Sequence, residues 1–403
     1  MKSKKMKKIL QLIFLALTLS LGHSVAAQNF PLSESAYAEL LTCEPSNELY
    51  TSFSHSALHI CDTARLIDIV YNYGTFDFET PHFVWKFATR TLDYCISKDS
   101  YLSFINEYTY YKRAVWAQRL KLSHQELCNL YLALEFNYQP EYRWYRYDFF
   151  RDNCATRIRD IITNSLNHRS LDYPTDDKTG KTYRDIVYTT NHTYRLWWRL
   201  AIDIALGARC DKNISTYECA FLPLEMMTQF DTLKISGSSE TLTHPAVKLL
   251  EDHREPLHKS ISPDLCFWLL FVVVSVLSFF GHRKKWNLIW MDSILFGLAG
   301  LASLIVMFLW FASAHYCCKW NLNLLWASPL FIYFAIFPKR SHHIVAIIQA
   351  GMLIAVMGMI ATGWPQHFNT AILPITLTLF VRLIGKMHKR EKEGVLKYRW
   401  HRH

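Results

Sequence analysis

No cysteine follows the small residues Val25-Ala26-Ala27 that close the first apolar run, which argues against a lipid-anchored N-terminus of the lipoprotein kind. No glycine-rich phosphate loop and no His/Cys/carboxylate cluster at metal-ligand spacing occurs in the sequence. Neither nucleotide nor metal chemistry is therefore expected, and no cofactor. No segment repeats, which excludes solenoid architectures. The middle of the chain also lacks any excess of charge. The net charge of +10 is accounted for by five lysines near the start and an excess of five positive charges from Lys386 onward. A basic balance confined to the two ends reports membrane topology and anionic lipid headgroups, and no nucleic acid is expected as a partner.

What is present starts with a signal sequence. Lys2, Lys4, Lys5, Lys7 and Lys8 precede an apolar run over 9–21, and the small residues at 25–27 make Gln28 the expected mature N-terminus. At the other end, apolar runs near membrane-spanning length predict helices over 265–281, 291–312, 322–337, 344–363 and 368–384. The loops alternate in charge: His282-Arg283-Lys284-Lys285, Pro338-Lys339-Arg340 and the tail are basic, whereas 315–321 and 364–367 share a single lysine. Basic loops on the cytoplasmic side put everything before 265 outside, as the signal sequence independently requires. The expected organisation is a signal peptide (1–27), a periplasmic domain (28–262), an α-helical membrane domain of about five transmembrane helices (263–386) and a basic cytoplasmic tail (387–403), in a bacterial inner membrane.

The periplasmic region is long enough for one sizeable core. Strands are predicted over 52–60 and 66–73, with a turn at Asp62-Thr63. A helix is predicted over 123–137, opened by a Ser123/Glu126 capping box, and an aromatic extended segment over 142–150. A further helix starts at Asp152-Asn153 and another covers 194–206, where Trp197 and Trp198 between Arg195 and Arg199 suit a lipid interface. The polar segment 229–256 reads as a linker. Of ten cysteines, eight or nine face the oxidising side, and the short loop between Cys210 and Cys219 makes these the expected disulfide pair.

Chemistry points to Cys154. An Asn or Asp N-cap puts it in the first helical turn, where unpaired N–H groups and the helix dipole favour thiolate, with Arg151 and Arg157 adding positive potential. A buried structural thiol is the plainer alternative. His55, between serines in a strand-like run, could supply the imidazole of a nucleophilic pair. Asn72 on the following strand is the first candidate to orient it, and Asp77 the second.

The order of a strand histidine first and Asn-Cys later resembles circularly permuted papain-like enzymes of the NlpC and lecithin:retinol acyltransferase group. More closely, the periplasmic region resembles the N-terminal domain of the lipoprotein N-acyltransferase family called Lnb. The matching stretches are Leu41-Thr42-Cys43-Glu44-Pro45, Glu48-Leu49-Tyr50, His55-Ser56-Ala57, 68–78 and Tyr147-Asp148-Phe149-Phe150-Arg151-Asp152-Asn153-Cys154. Ser54 stands where that family is expected to have glycine. The membrane region also fits at 321–326, before Pro329. The resemblance implies an α+β, permuted papain-like domain and an acyltransferase with Cys154, His55 and Asn72 as its machinery. A phospholipid would be the acyl donor and a diacylated lipoprotein the acceptor. Cys43, Asp77, Asp148 and Asn153 are secondary candidates, and His315, Asn321 and Asn323 could meet headgroups at the outer membrane face. A cysteine peptidase or amidase acting on cell-wall peptide, or a non-enzymatic envelope scaffold, are the competing readings.

Overall fold

The computed structural model describes residues 30–46, 48, 51–174, 178–189, 195–255, 260–338 and 343–400, with side chains described as far as 387. The signal sequence, Leu49, Tyr50 and the Lys339-Arg340 loop fall outside the described residues.

Seven strands form one sheet: β1 (Tyr37–Cys43), β2 (His55–Asp62), β3 (Ile67–Thr75), β4 (Asp93–Ser100), β5 (Val115–Arg119), β6 (Trp144–Arg146) and β7 (Val247–Leu250), in the order β6-β4-β3-β2-β1-β5-β7. Every neighbouring pair is antiparallel. Consecutive residues of the central strands point to opposite faces, and both faces are covered. That is why β2 is buried along nearly its whole length and reads as a continuous run rather than an alternation. On one face Leu40, Leu58, Ile60 and Tyr71 pack under α3 (His124–Tyr138), α4 (Cys154–Asn164) and α7 (Pro223–Thr232). On the other, Leu41, Ala57 and Val70 pack against Phe104 and Tyr108 of α2 (Tyr101–Tyr110). Among the described residues, the other helices of more than one turn in this part are α1 (Phe83–Thr89), α5 (Tyr183–Thr189) and α6 (Leu196–Ala205).

The predicted linker 229–256 is instead structured over most of its length. Its first residues finish α7, and Val247–Leu250 adds an edge strand to β5. The polar look of 229–256 is that of an edge strand and its approach, both half in solvent.

The membrane part comprises α8 (Pro263–Lys284), α9 (Ile289–Met307, continued by a π-helical turn Phe308–Ala312), α10 (Leu330–Ile336), α11 (His343–Thr362) and α12 (Ile372–Trp400). Among the described residues, three helices are long and apolar enough to cross a membrane: Pro263–Lys284, Ile289–Ala312 and His343–Thr362. The third predicted span, 322–337, is broken. A 3₁₀ turn, Leu322–Leu325, precedes Pro329, and α10 has only seven residues. The hydroxyl of Ser328 accepts from the Leu330 N–H at 3.2 Å, restarting the helix where Pro329 cannot continue it. The α12 helix runs on to Trp400, through the region expected to be a separate tail.

The two parts are locked by backbone contacts. Gly207 N–H donates to the Cys317 carbonyl at 2.8 Å and Ala208 N–H to that of Trp320 at 3.0 Å. A Cβ on Gly207 would lie 2.2 Å from the Lys319 carbonyl oxygen, so only glycine permits this approach.

Candidate active site

Cys154 is the first residue of α4. The Asn153 side chain caps that helix by accepting from Thr156 N–H, and the Thr156 hydroxyl accepts from Asn153 N–H in return. Asn153 does more than the expected capping. Its amide nitrogen donates to the carbonyls of Phe149 (2.7 Å) and Phe221 (2.8 Å), which clamps the start of α4 to the segment ahead of α7. The turn before it is built by Asp148, whose carboxylate accepts from the N–H groups of Phe150 and Arg151, both at 3.1 Å, and pairs with Arg90 at 3.4 Å. Asp148 and Asn153 thus position the cysteine without reaching the thiol.

Burial raises the Cys154 pKa, opposed by the N–H groups of Ser56, Ala155 and Cys154 itself and by the Tyr147 hydroxyl. The helix-start donors are present as expected, but they do not win: the resting group is a thiol, where the sequence suggested thiolate. Burial likewise pushes His55 down to about 4, against the raising effect of Asn72 and with Arg113 adding to the depression. The pair is therefore neutral at rest.

His55 opens β2 beside Cys43 of β1. Its Nε2 lies 3.1 Å from Asn72 Oδ1. The Asn72 amide nitrogen donates to Asp99 at 3.4 Å, which turns the amide oxygen toward the imidazole. His55 then carries its proton on Nε2 and keeps the lone pair on Nδ1. Asn72 accordingly holds His55, and the second candidate does not. Asp77 is exposed and accepts from Glu79 N–H at 2.8 Å in its own turn, beyond the end of β3. Ser54, where glycine was expected, adopts φ +71°, the left-handed conformation that glycine favours.

His55 and Cys154 line one cavity of about 800 Å³, walled by rings including Phe53, Phe76, Phe83, Phe87 and Phe149. Gly74 stands at its floor with φ +92°, where a Cβ would come within 3.4 Å of the Tyr147 ring and 3.7 Å of Cys154 Cβ. Sequence reasoning missed Tyr147, Gly74 and the Ser56 N–H. Each sits one or a few residues from a residue it did select, so the motif was recognised but not how these neighbours meet the thiol.

Cys43 is a buried thiol hydrogen-bonded to Tyr108. Burial pushes it up to about 12, outweighing Tyr108 and Arg113; it forms no disulfide and lies outside the lining of the Cys154 cavity. The Cys210–Cys219 bridge is not formed. Cys210 instead donates to the Cys317 carbonyl at 3.9 Å, across the junction with the membrane part. The loop between them is occupied by two helical turns, Ala208–Asp211 and Thr216–Cys219, rather than closing on itself.

Asn321 and Asn323 are buried and meet protein, not headgroups. Asn321 donates to the carbonyls of Ile204 (2.8 Å) and Ala205 (3.0 Å), and Asn323 to that of Asp203 (3.0 Å), satisfying the C-terminal end of α6. His315 lies 3.0 Å from the Phe87 carbonyl, tying the membrane loop to α1. Trp197 is half-exposed, as an interfacial residue would be, and its indole donates to the Ile261 carbonyl at 2.9 Å. Away from the cavity, His59, Cys61 and Asp68 bring ligating atoms within 4.8 Å of one another. Both imidazole nitrogens already meet carboxylates, Glu39 at 2.9 Å and Asp68 at 2.8 Å, and the ring stacks on Tyr101. The cluster is a hydrogen-bonded brace between strands.

A sheet covered by helices, with a cysteine at a helix start above a ring-lined cavity, seated on apolar helices, defines a membrane-anchored protein with a thiol-bearing globular domain. Residues 27–194 match the Lnb N-terminal periplasmic domain and residues 255–393 the Lnb transmembrane domain, and the chain belongs to the Lnb family. It is a lipoprotein-processing membrane protein whose N-terminal domain is periplasmic. No curated protein and no solved structure matches it.

Proposed function

We propose that the protein moves an acyl chain from a membrane phospholipid, through a thioester on Cys154, to the α-amine of a diacylglyceryl-cysteine lipoprotein. One observation carries this reading: the Cys154 cavity is bordered by a helix that itself packs on the membrane part. Phe83 and Phe87 of α1 line the cavity, Val84 and Trp85 are exposed, and Trp85 packs 5.3 Å from Phe308 of the membrane part. A cell-wall peptide would not need a ring-lined chamber set against the membrane part. The order of histidine strand and Asn-Cys helix, like that of permuted papain-like enzymes, supports the same assignment of roles.

In this mechanism His55 Nδ1 takes the Cys154 proton as the sulfur attacks the ester carbonyl, so charge develops only as the bond forms. The N–H groups of Ser56 and Ala155 are the candidate donors to the oxyanion. Collapse breaks the ester C–O bond, and His55 returns the proton to the leaving alkoxide of the lysophospholipid. The acceptor amine then attacks the thioester, loses a proton to His55 and expels the thiolate, which is reprotonated. Asn72 holds the imidazole throughout.

Acylation and transfer are separable, which gives the test. Protein incubated with phospholipid alone should accumulate a hydroxylamine-labile adduct on Cys154, absent from Cys154→Ala. Diacylated lipoprotein should then discharge it into a hydroxylamine-stable amide. Release of free fatty acid without need of an amine would make the protein a thiol lipase. Full N-acylation of lipoproteins in cells lacking this protein and any other such enzyme would end the transferase assignment.

A further inference from the structure

A second cavity, of about 330 Å³, lies on the other side of the turn that carries Cys154. Tyr147 and Phe149 face the large apolar chamber, whereas Asp148 and Arg151 line this smaller one. Its wall joins both parts of the molecule: Arg90, Arg151 and Arg209 come from the periplasmic domain, Tyr316 and Lys319 from the loop after the span Ile289–Ala312. The lining thus holds four cations against the single carboxylate of Asp148.

The four are not equally committed. Arg90 pairs with Asp148, and the Lys319 ammonium donates to the carbonyls of Trp310 and Ser313. Arg151 and Arg209 instead both rest on one ring, each guanidinium 4.7 Å from the centre of Tyr316, and neither meets a carboxylate among the described residues. Two like charges gathered on one phenol ring repel each other, and an anion between them would convert that repulsion into attraction. Guanidinium forks match phosphate oxygens in geometry. The cavity sits where a membrane span ends, which is headgroup depth.

We propose that this cavity binds the anionic phosphodiester of a phospholipid headgroup through Arg151 and Arg209, with Tyr316 as the platform that holds both guanidiniums. The inference of a donor site rests on the acyl-transfer reading, because Arg151 is three residues ahead of Cys154 and one turn supplies Asp148 and Arg151 to this cavity and Tyr147 and Phe149 to the Cys154 chamber. The phosphate chemistry itself does not depend on that reading.

The test uses the full chain with Cys154→Ala, so that binding is read without turnover. Native mass spectrometry of protein released from nanodiscs containing phosphatidylglycerol should show retained phospholipid. Arg151→Gln and Arg209→Gln should each weaken retention by roughly tenfold, the effect of losing one charge-assisted contact. Arg151→Lys and Arg209→Lys, which keep the charge but lose the fork, should weaken retention measurably but less than glutamine does, and serve should either glutamine variant fail to fold. Retention unchanged in folded glutamine variants would overturn the site. Binding of inorganic phosphate by the lipid-free protein, with no phospholipid retained, would overturn the headgroup assignment in favour of a free anion. If the arginine variants lose lipid while wild type never forms a thioester, the headgroup site stands and acyl transfer falls.

Discussion

His55 and Cys154 are both held in their neutral forms, and this sets how the site should respond to pH. An ordinary histidine begins to protonate below about 6.5. His55, pushed down to about 4 chiefly by burial, stays a base through that range. The Cys154 thiol, raised by burial, stays protonated at neutral pH. Thioester formation should therefore be nearly flat from about pH 5 to 8, falling only as pH drops toward the value of His55. Iodoacetamide should label Cys154 slowly at pH 7, because it needs preformed thiolate. Fast labelling at pH 7, or an acid limb near 6.5, would show that the pair is ionised at rest. Removing the acceptor with Asn72→Ala should slow acylation by about tenfold or more through a misplaced imidazole, a smaller loss than the 10²–10⁴ of a general base itself.

At the scale of elements, the floor of the cavity depends on one backbone conformation. Alanine at Gly74 would have to take φ +92° and bring its methyl against Tyr147 and Cys154. Gly74→Ala should cost about 1–3 kcal/mol, seen as a lowered thermal midpoint together with slower thioester formation; an unchanged midpoint would mean β3 relaxes freely there. Where the sequence spoke through local chemistry it was legible. Ser123 and Glu126 form the capping box, and Asn153 caps α4 one residue before the cysteine. Where an element depends on distant partners it was not. Asn321, Asn323 and Ser328-Pro329 lie within an apolar stretch, and periodicity smoothed them into a span. In the fold the asparagines serve the end of α6, more than a hundred residues away in the chain. The strand Val247–Leu250 is short and exposed, and only β5 makes it a strand. Cys210 reads as a disulfide candidate with Cys219 because spacing says nothing of the Cys317 carbonyl that its thiol meets.

For the molecule as a whole, the family assignment and the charge of the loops agree on orientation. A reporter fused after His403 should be cytoplasmic and one at Thr241 exported, measured with paired enzymatic reporters. A cytoplasmic Thr241 would put the Cys154 cavity on the wrong side of the membrane. The junction means that the two parts do not behave as bead and anchor, since Asn321 and Asn323 close the end of a periplasmic helix. The edge strand β7 carries a further consequence, for the order of events during synthesis. It ends thirteen residues before Pro263 begins the first membrane helix. Until those residues emerge from the translocation channel, β5 presents an unpaired edge, the kind of surface on which strands of other chains can add. The sheet can be finished only when the first membrane helix is already at the channel, so lateral release into the bilayer and completion of the periplasmic domain fall at the same moment of export.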